Sequence, residues 1–267
     1  MEYLVAVDLE GVHGVVGEPY KGLSPDMADY QVAIKNATKE INQVAKALFE
    51  CGAKKVVVWD CHGGGKNLDF SLIDSRVTPW QTLTKRRMDF CKNFNFSAIL
   101  FVGYHSKAGS FNGVLAHTFN STNIQYIKIN GKAVGEYEID SYIAGKYGIK
   151  PIFASSDDVA LKEILSLDEN VVTVKTKIAK GRNKADLIDD GVVLKNIYEG
   201  VKASVRANTK VQTISMPIAV EIRYTRTEKA EEFFNKAKEL KIAANYKEDA
   251  HTIEYSANNI EEIALMV

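Results

Sequence analysis

Lys55-Val56-Val57-Val58-Trp59-Asp60-Cys61-His62-Gly63-Gly64-Gly65 is the stretch on which the fold turns. After Lys55, the four residues Val56–Trp59 are β-branched or aromatic, and they are too few for a helix of ordinary length. They read as a buried strand. A carboxylate, an imidazole and three glycines follow at once. The same grammar recurs on either side. Tyr3–Val7 is a second strand, followed by Asp8-Leu9-Glu10-Gly11, and Ser97–Gly103 is a third, followed by Tyr104-His105. Between the first two lie Ile34, Ala37, Ile41, Val44 and Leu48, spaced by three and four as on one helix face. Ser24-Pro25-Asp26 predicts the start of that helix and Gly52 its left-handed stop.

The alternation continues along the chain. Ile124–Ile129 reads as a strand ending in the turn Asn130-Gly131. Helix Tyr137–Tyr147 stops at Gly148 before strand Pro151–Ala154. Helix Asp158–Leu165, strand Val171–Thr176 and an amphipathic helix over Asn183–Arg206 follow. Strands rich in Val and Ile and separated by helices imply an α/β fold with a mostly parallel sheet and helices on both faces. After Met216-Pro217 the pattern becomes strand Ala219–Tyr224, helix Glu228–Leu240, strand His251–Tyr255 and helix Ile260–Met266. The expected division is therefore a catalytic α/β domain over residues 1–212 and a small α+β lobe over residues 213–267.

Composition narrows the function. The 267 residues are 46% hydrophobic and 25% charged, enough to build a sizeable core. Lys+Arg and Asp+Glu both number 34, so there is no basic excess of the kind that neutralises phosphates, and neither nucleic acid nor a membrane is expected as partner. The apolar runs Val56–Trp59 and Ala98–Val102 are far shorter than a membrane span. Three cysteines, Cys51, Cys61 and Cys91, form no C-x-x-C pair, and the N-terminus has no basic region before its apolar residues. A cytoplasmic location is expected.

In an open parallel sheet, ligands bind outside the carboxyl ends of the strands. Three successive strands deliver Asp8 and Glu10, Asp60 and His62, and His105 to that edge. Residues two apart on an extended chain share a side, so both members of Asp8/Glu10 can face one cation. A cluster of Asp8, Glu10, His62 and His105 offers mixed oxygen and nitrogen ligation, which suits zinc, manganese or iron better than calcium or magnesium. Crowded carboxylates need cationic compensation. A carboxylate-bridged metal pair would supply it and would make a hydrolytic site. Asp60 reads as a residue orienting His62 rather than as a ligand. The glycines 63–65 do not complete a phosphate loop, because Asp60 and Asn67 stand where that motif needs Gly and Ser or Thr. Asp157 or Asp158 could bind a substrate amine, though a helix cap is the simpler role. His13 and His251 read as structural or surface residues.

These residues resemble the zinc-dependent D-aminopeptidases named after the dipeptide-transport operon. That family's S-x-D-x-E-G opening is similar to Ala6-Val7-Asp8-Leu9-Glu10-Gly11, with Ala6 replacing the serine. Its D-x-H, G-Y-H, G-V-x-x-H and N-x-x-x-V-G-E segments are matched by Asp60–His62, Gly103–His105, Gly113–His117 and Asn130–Glu136. The resemblance implies two zinc ions bridged by Asp8. It assigns Glu10 and Glu136 to one ion, His62 and His105 to the other, and catalysis to His117. It further implies short peptides, with D-residues preferred, as substrates and a ring-shaped homodecamer as the assembly. An imidazole beside two metals can equally serve as nucleophile, acid/base or oxyanion stabiliser. The alternatives are a metal-dependent amidohydrolase or esterase on another small molecule, and a non-catalytic metal-binding assembly protein.

Overall fold

The computed structural model describes residues 1–81 and 87–265. In chain order the elements begin with β1 (Glu2–Val7), α1 (Ala28–Glu50), β2 (Lys55–Asp60), β3 (Thr78–Trp80) and β4 (Phe96–Val102). Next come β5 (Ile124–Ile129), β6 (Lys132–Ala133), α2 (Glu136–Lys146), β7 (Lys150–Asp157), α3 (Asp158–Leu167), β8 (Val172–Gly181) and β9 (Lys184–Leu187). The chain finishes with α4 (Asp190–Ser204), β10 (Ile218–Tyr224), α5 (Thr227–Glu239), β11 (Ala244–Tyr246), β12 (Thr252–Ala257) and α6 (Glu261–Leu265).

Seven strands form the main sheet in the order β3-β2-β1-β4-β7-β8-β9, parallel except for the antiparallel edge β9. The period of two along each strand divides the core. Leu4, Ala6, Val57, Ile99 and Phe101 point to the side of α2, α3 and the second sheet. Val5, Val7, Val56, Val58, Leu100 and Val102 point to the side of α1 and α4. Helix α1 meets them with Ala33, Ala37, Ile41, Val44 and Leu48, and α4 with Val193, Ile197 and Val201. The chain runs from β1 out to β2 and β3, then returns to the other side of β1 as β4. That reversal opens a crevice at the carboxyl ends of β1 and β4.

The second sheet is antiparallel, in the order β11-β12-β10-β5-β6. Residues 213–267 therefore do not build it alone, since β5 and β6 from the middle of the chain supply two of its five strands. Ile127, Ile129, Ile218, Val220 and Ile222 bury its inner side against the same core as the main sheet. Two expected helix starts also move. Ser24 lies in a turn, its Oγ donating to Asp26 Oδ1 at 2.5 Å, and α1 begins at Ala28. Lys184–Leu187 is the edge strand β9 rather than helix, because Asp189 caps α4 by accepting from Val192 N. The turn Asn130-Gly131 has φ of 49° and 81°, the paired positive values a two-residue hairpin requires. Of the last expected helix, Met266 lies outside the described residues.

Candidate metal centre

The crevice gathers Asp8, Glu10, His62, His105, His117 and Glu136. Asp8 still belongs to the ladder, donating its N–H to Val102 O at 2.9 Å, after which the chain turns so that Val12 N reaches Leu9 O. Glu136 opens α2 just beyond the β5–β6 hairpin, and His117 sits on the connection from β4 to β5. Asp8, Glu10, His105 and Glu136 are buried.

Asp8 is the centre of the arrangement. Its Oδ1 is 3.0 Å from His62 Nδ1, and its Oδ2 is 3.4 Å from His105 Nε2. Glu10 Oε2 is 3.2 Å from His62 Nδ1, and Glu136 Oε1 is 3.2 Å from His105 Nε2. These distances pair Glu10 with His62 and Glu136 with His105. This grouping differs from the division implied by the family resemblance, Glu10 with Glu136 and His62 with His105. The reason is that Asp8 turns its two oxygens toward different strands. His117 stacks on His105, ring centroids 3.9 Å apart and 9° from parallel. Its Nε2 is 3.9 Å from Glu10 Oε1 and 3.8 Å from Glu136 Oε1.

Hydrogen bonds to backbone carbonyls assign the histidine protons. His62 Nε2 donates to Leu23 O at 3.2 Å, His105 Nδ1 to Ser106 O at 3.0 Å and His117 Nδ1 to Leu115 O at 2.8 Å. Each ring thus turns its other nitrogen toward carboxylate oxygens, which have no proton to offer. His105 Nε2 and Glu10 Oε2 are buried without a hydrogen-bond partner. Ring nitrogens facing carboxylates at such distances need a positive charge on the nitrogen, a proton or a metal ion, and the donor set suits zinc.

Electrostatics agree. Burial opposes charge on His62, but Glu10 and Asp8 overcome it and raise the imidazole to about 12. Burial likewise opposes charge on His105, and Glu136 and Asp8 raise it well above the ordinary histidine value. Against its own burial, Asp8 is held well below the carboxylate range by His105 and His62. Without metal, protons on two histidines are the substitute charge. His117 behaves differently, because burial and the neighbouring His105 lower it. Two sets of donor atoms lie within 4.8 Å of one another among the described residues: Asp8, Glu10 and His105, and His105, His117 and Glu136.

The family model for Peptidase M55, described as D-aminopeptidase, matches residues 1–267. This chain belongs to that family. It is also similar to a curated D-aminopeptidase of Bacillus subtilis (strain 168), 25% identical over 224 residues that cover 81% of this chain and 78% of the relative. Among solved structures it resembles the one titled "Zn-dependent D-aminopeptidase DppA from Bacillus subtilis, a self-compartmentalizing protease". That likeness has a TM-score of 0.88 at 23% identity and covers 100% of this chain and 95% of the other.

In this M55 chain, residues that carried no sequence signal support the cluster. Lys177, fully buried on β8, donates to Glu10 O at 2.6 Å and Val12 O at 2.7 Å, clamping the turn after Asp8. Arg87 binds Asp140 through two bonds of 2.6 and 2.8 Å, and Tyr104 OH donates to the same carboxylate at 2.6 Å. Asp140 lies one turn after Glu136, and Tyr104 adjoins His105. Arg87 also comes within 3.9 Å of Glu136. Phe119 N donates to Glu136 Oε1 at 2.8 Å.

Asp60 does not touch the His62 ring. It accepts from Asn67 N, Asn67 Nδ2 and Leu68 N, and Asn67 in turn holds His62 O, so it shapes the loop that carries His62. Asp157 caps α3 through Val159 N and Ala160 N and accepts from Val114 N at 3.3 Å. His13 bonds Ile188 O and His251 bonds Tyr224 O, both away from the cluster. Over the cluster lies a cavity of about 340 Å³, walled by Leu23, Gly63, Phe119 and Ser121 among others. Among the described residues, no helix is long and apolar enough to cross a membrane.

Proposed function

We propose that this protein is a dizinc aminopeptidase that removes the N-terminal residue from short peptides, with D-residues preferred. The observation that carries the reading is the Asp8 carboxylate, one oxygen toward His62 beside Glu10 and the other toward His105 beside Glu136. In this reading Asp8, Glu10 and His62 would hold one ion, and Asp8, His105 and Glu136 would hold the other. When bound, such a pair supplies Lewis-acid polarisation of the scissile carbonyl and a water more acidic than bulk.

The chain's own residues do the rest. Leu115 O keeps the His117 proton on Nδ1, which leaves Nε2 free at the mouth of the cluster to take a proton and hand it to the departing amine. Burial keeps that imidazole neutral near pH 7, ready to accept. The cavity holds a short peptide, and its buried acidic floor favours a free α-ammonium over a blocked terminus. D-preference rests on the family and its named relatives. The relative's title calls it self-compartmentalizing. On that basis we assign this chain a homo-oligomer, and the family resemblance extends this to a ring-shaped decamer. A cytoplasmic location fits its three free cysteines.

The test is hydrolysis of D-alanyl and L-alanyl amides by zinc-loaded protein, each with and without chelator. Chelator-sensitive cleavage of the D-substrate alone is expected. A protein that holds zinc yet cleaves neither would point instead to an amidohydrolase on another small molecule.

A further inference from the structure

His117 must present Nε2 at a fixed height above the carboxylates, yet it sits on an irregular connection between strands. Leu115 and Phe119, two residues to either side, are non-glycine residues with φ of 49° and 59°. Such backbone persists only where surrounding contacts enforce it. On the Leu115 side those contacts converge on one residue of the β8–β9 hairpin tip. Leu115 N donates to Arg182 O at 2.8 Å, and Arg182 Nη1 donates to Ala116 O at 2.6 Å. The main chain and side chain of one residue therefore grip the two peptides that flank the Leu115–Ala116 peptide. Leu115 O, on the peptide held between them, is the acceptor that orients the His117 ring. His117 N is anchored separately, on Ser106 O at 3.2 Å. The neighbouring Asn183 Nδ2 donates to Val16 O and Glu18 O, tying the same tip to the loop whose Gly17 packs under the Leu115 side chain.

We infer that Arg182 is a positioning residue for His117: by clamping Leu115 and Ala116 it holds the carbonyl that sets the imidazole's tautomer and direction. This rests on the catalytic role proposed for His117. Arg182 is exposed and touches none of the ligands, so its loss should leave both the fold and the metal site in place. Guanidinium matters here for its planar, directional fork, which an ammonium lacks.

The test is Arg182→Ala and Arg182→Lys in the zinc-loaded enzyme. Arg182→Ala should lower kcat roughly 10- to 100-fold, the cost of misplacing a catalytic group by about an ångström. KM, zinc content and melting temperature should stay at wild-type values. Arg182→Lys should recover part of the loss, and free guanidinium added to Arg182→Ala should recover more. An unchanged kcat, or a loss matched by lost zinc, would overturn the inference. A readout independent of turnover keeps the two claims apart. With ¹⁵N-histidine labelling, the wild type should show one His117 form protonated at Nδ1, and Arg182→Ala a mixture of forms. A single unchanged form in the variant would refute the clamp whatever the substrate proves to be. A wild type that binds zinc but cleaves no peptide would instead refute only the proposed function.

Discussion

Zinc uptake by this protein should expel two protons per subunit, and the number follows from the side chains. In the metal-free cluster the carboxylates hold protons on His62, raised to about 12, and on His105, raised well above its ordinary value. Both nitrogens that carry those protons are the ones facing Asp8, and a metal can bind there only if the protons leave. The metal-free form is the one that binds more protons, so affinity rises with pH. Two protons give about a 100-fold gain per pH unit, or ~2.7 kcal/mol. The slope should hold from about pH 6.5 upward, until the raised histidine values are approached. Titration calorimetry in buffers of different ionisation enthalpy, run near pH 6.5, below the range where a metal's own water ionises, counts the protons directly. His62→Ala should release about one proton with its remaining ion. Release of fewer than half a proton by the wild type would refute the reasoning, because the histidines would then be neutral before the metal arrives or would not be ligands.

Three further outcomes are expected. His117→Ala should keep both ions and lose activity by roughly 10²–10⁴-fold, as for a lost acid/base group, measured as kcat beside zinc content. Arg87→Met strands the fully buried Asp140 carboxylate with Tyr104 as its remaining hydrogen-bond partner among the described residues, and denaturant unfolding should show a loss of about 3–5 kcal/mol. Glu221, despite burial that opposes its charge, is lowered to about 2 by Lys128, Lys247 and Tyr126. The stability it contributes is present above the ordinary glutamate pKa and fades as pH falls toward 2. The residue is near the surface, so Glu221→Gln should cost only about 1 kcal/mol at pH 7 and nothing near pH 2, as read by unfolding at the two pH values.

Much of this architecture is written locally. Val56–Val58, Leu4–Val7 and Ala98–Val102 are buried on both faces, and a short run of apolar residues says so without reference to the rest of the chain. The candidate ligands are legible for the same reason, since Asp8, His62 and His105 each fall within three residues of the end of their strand. What sequence spacing does not carry is long-range pairing. β5 joins β10 across some ninety residues, as in Ile127↔Ile222, so the second sheet cannot be seen in the C-terminal stretch alone. β9 reads as helix because Lys184 and Asp186 are polar on an exposed edge, where the alternation of a half-buried strand is weak. Lys177 lies far in sequence from the Glu10–Val12 turn it clamps, and Arg87 from the Asp140 carboxylate it binds. The proposed division of ligands between two ions depends on how the Asp8 oxygens turn, which no spacing encodes.

The measurement that bears most directly on the account is anomalous diffraction at the zinc edge from crystals of the zinc-loaded protein. Two peaks about 3.5–4 Å apart are expected, with Asp8 between them, Glu10 and His62 on one and His105 and Glu136 on the other. A single peak, or two that do not share Asp8, would contradict it.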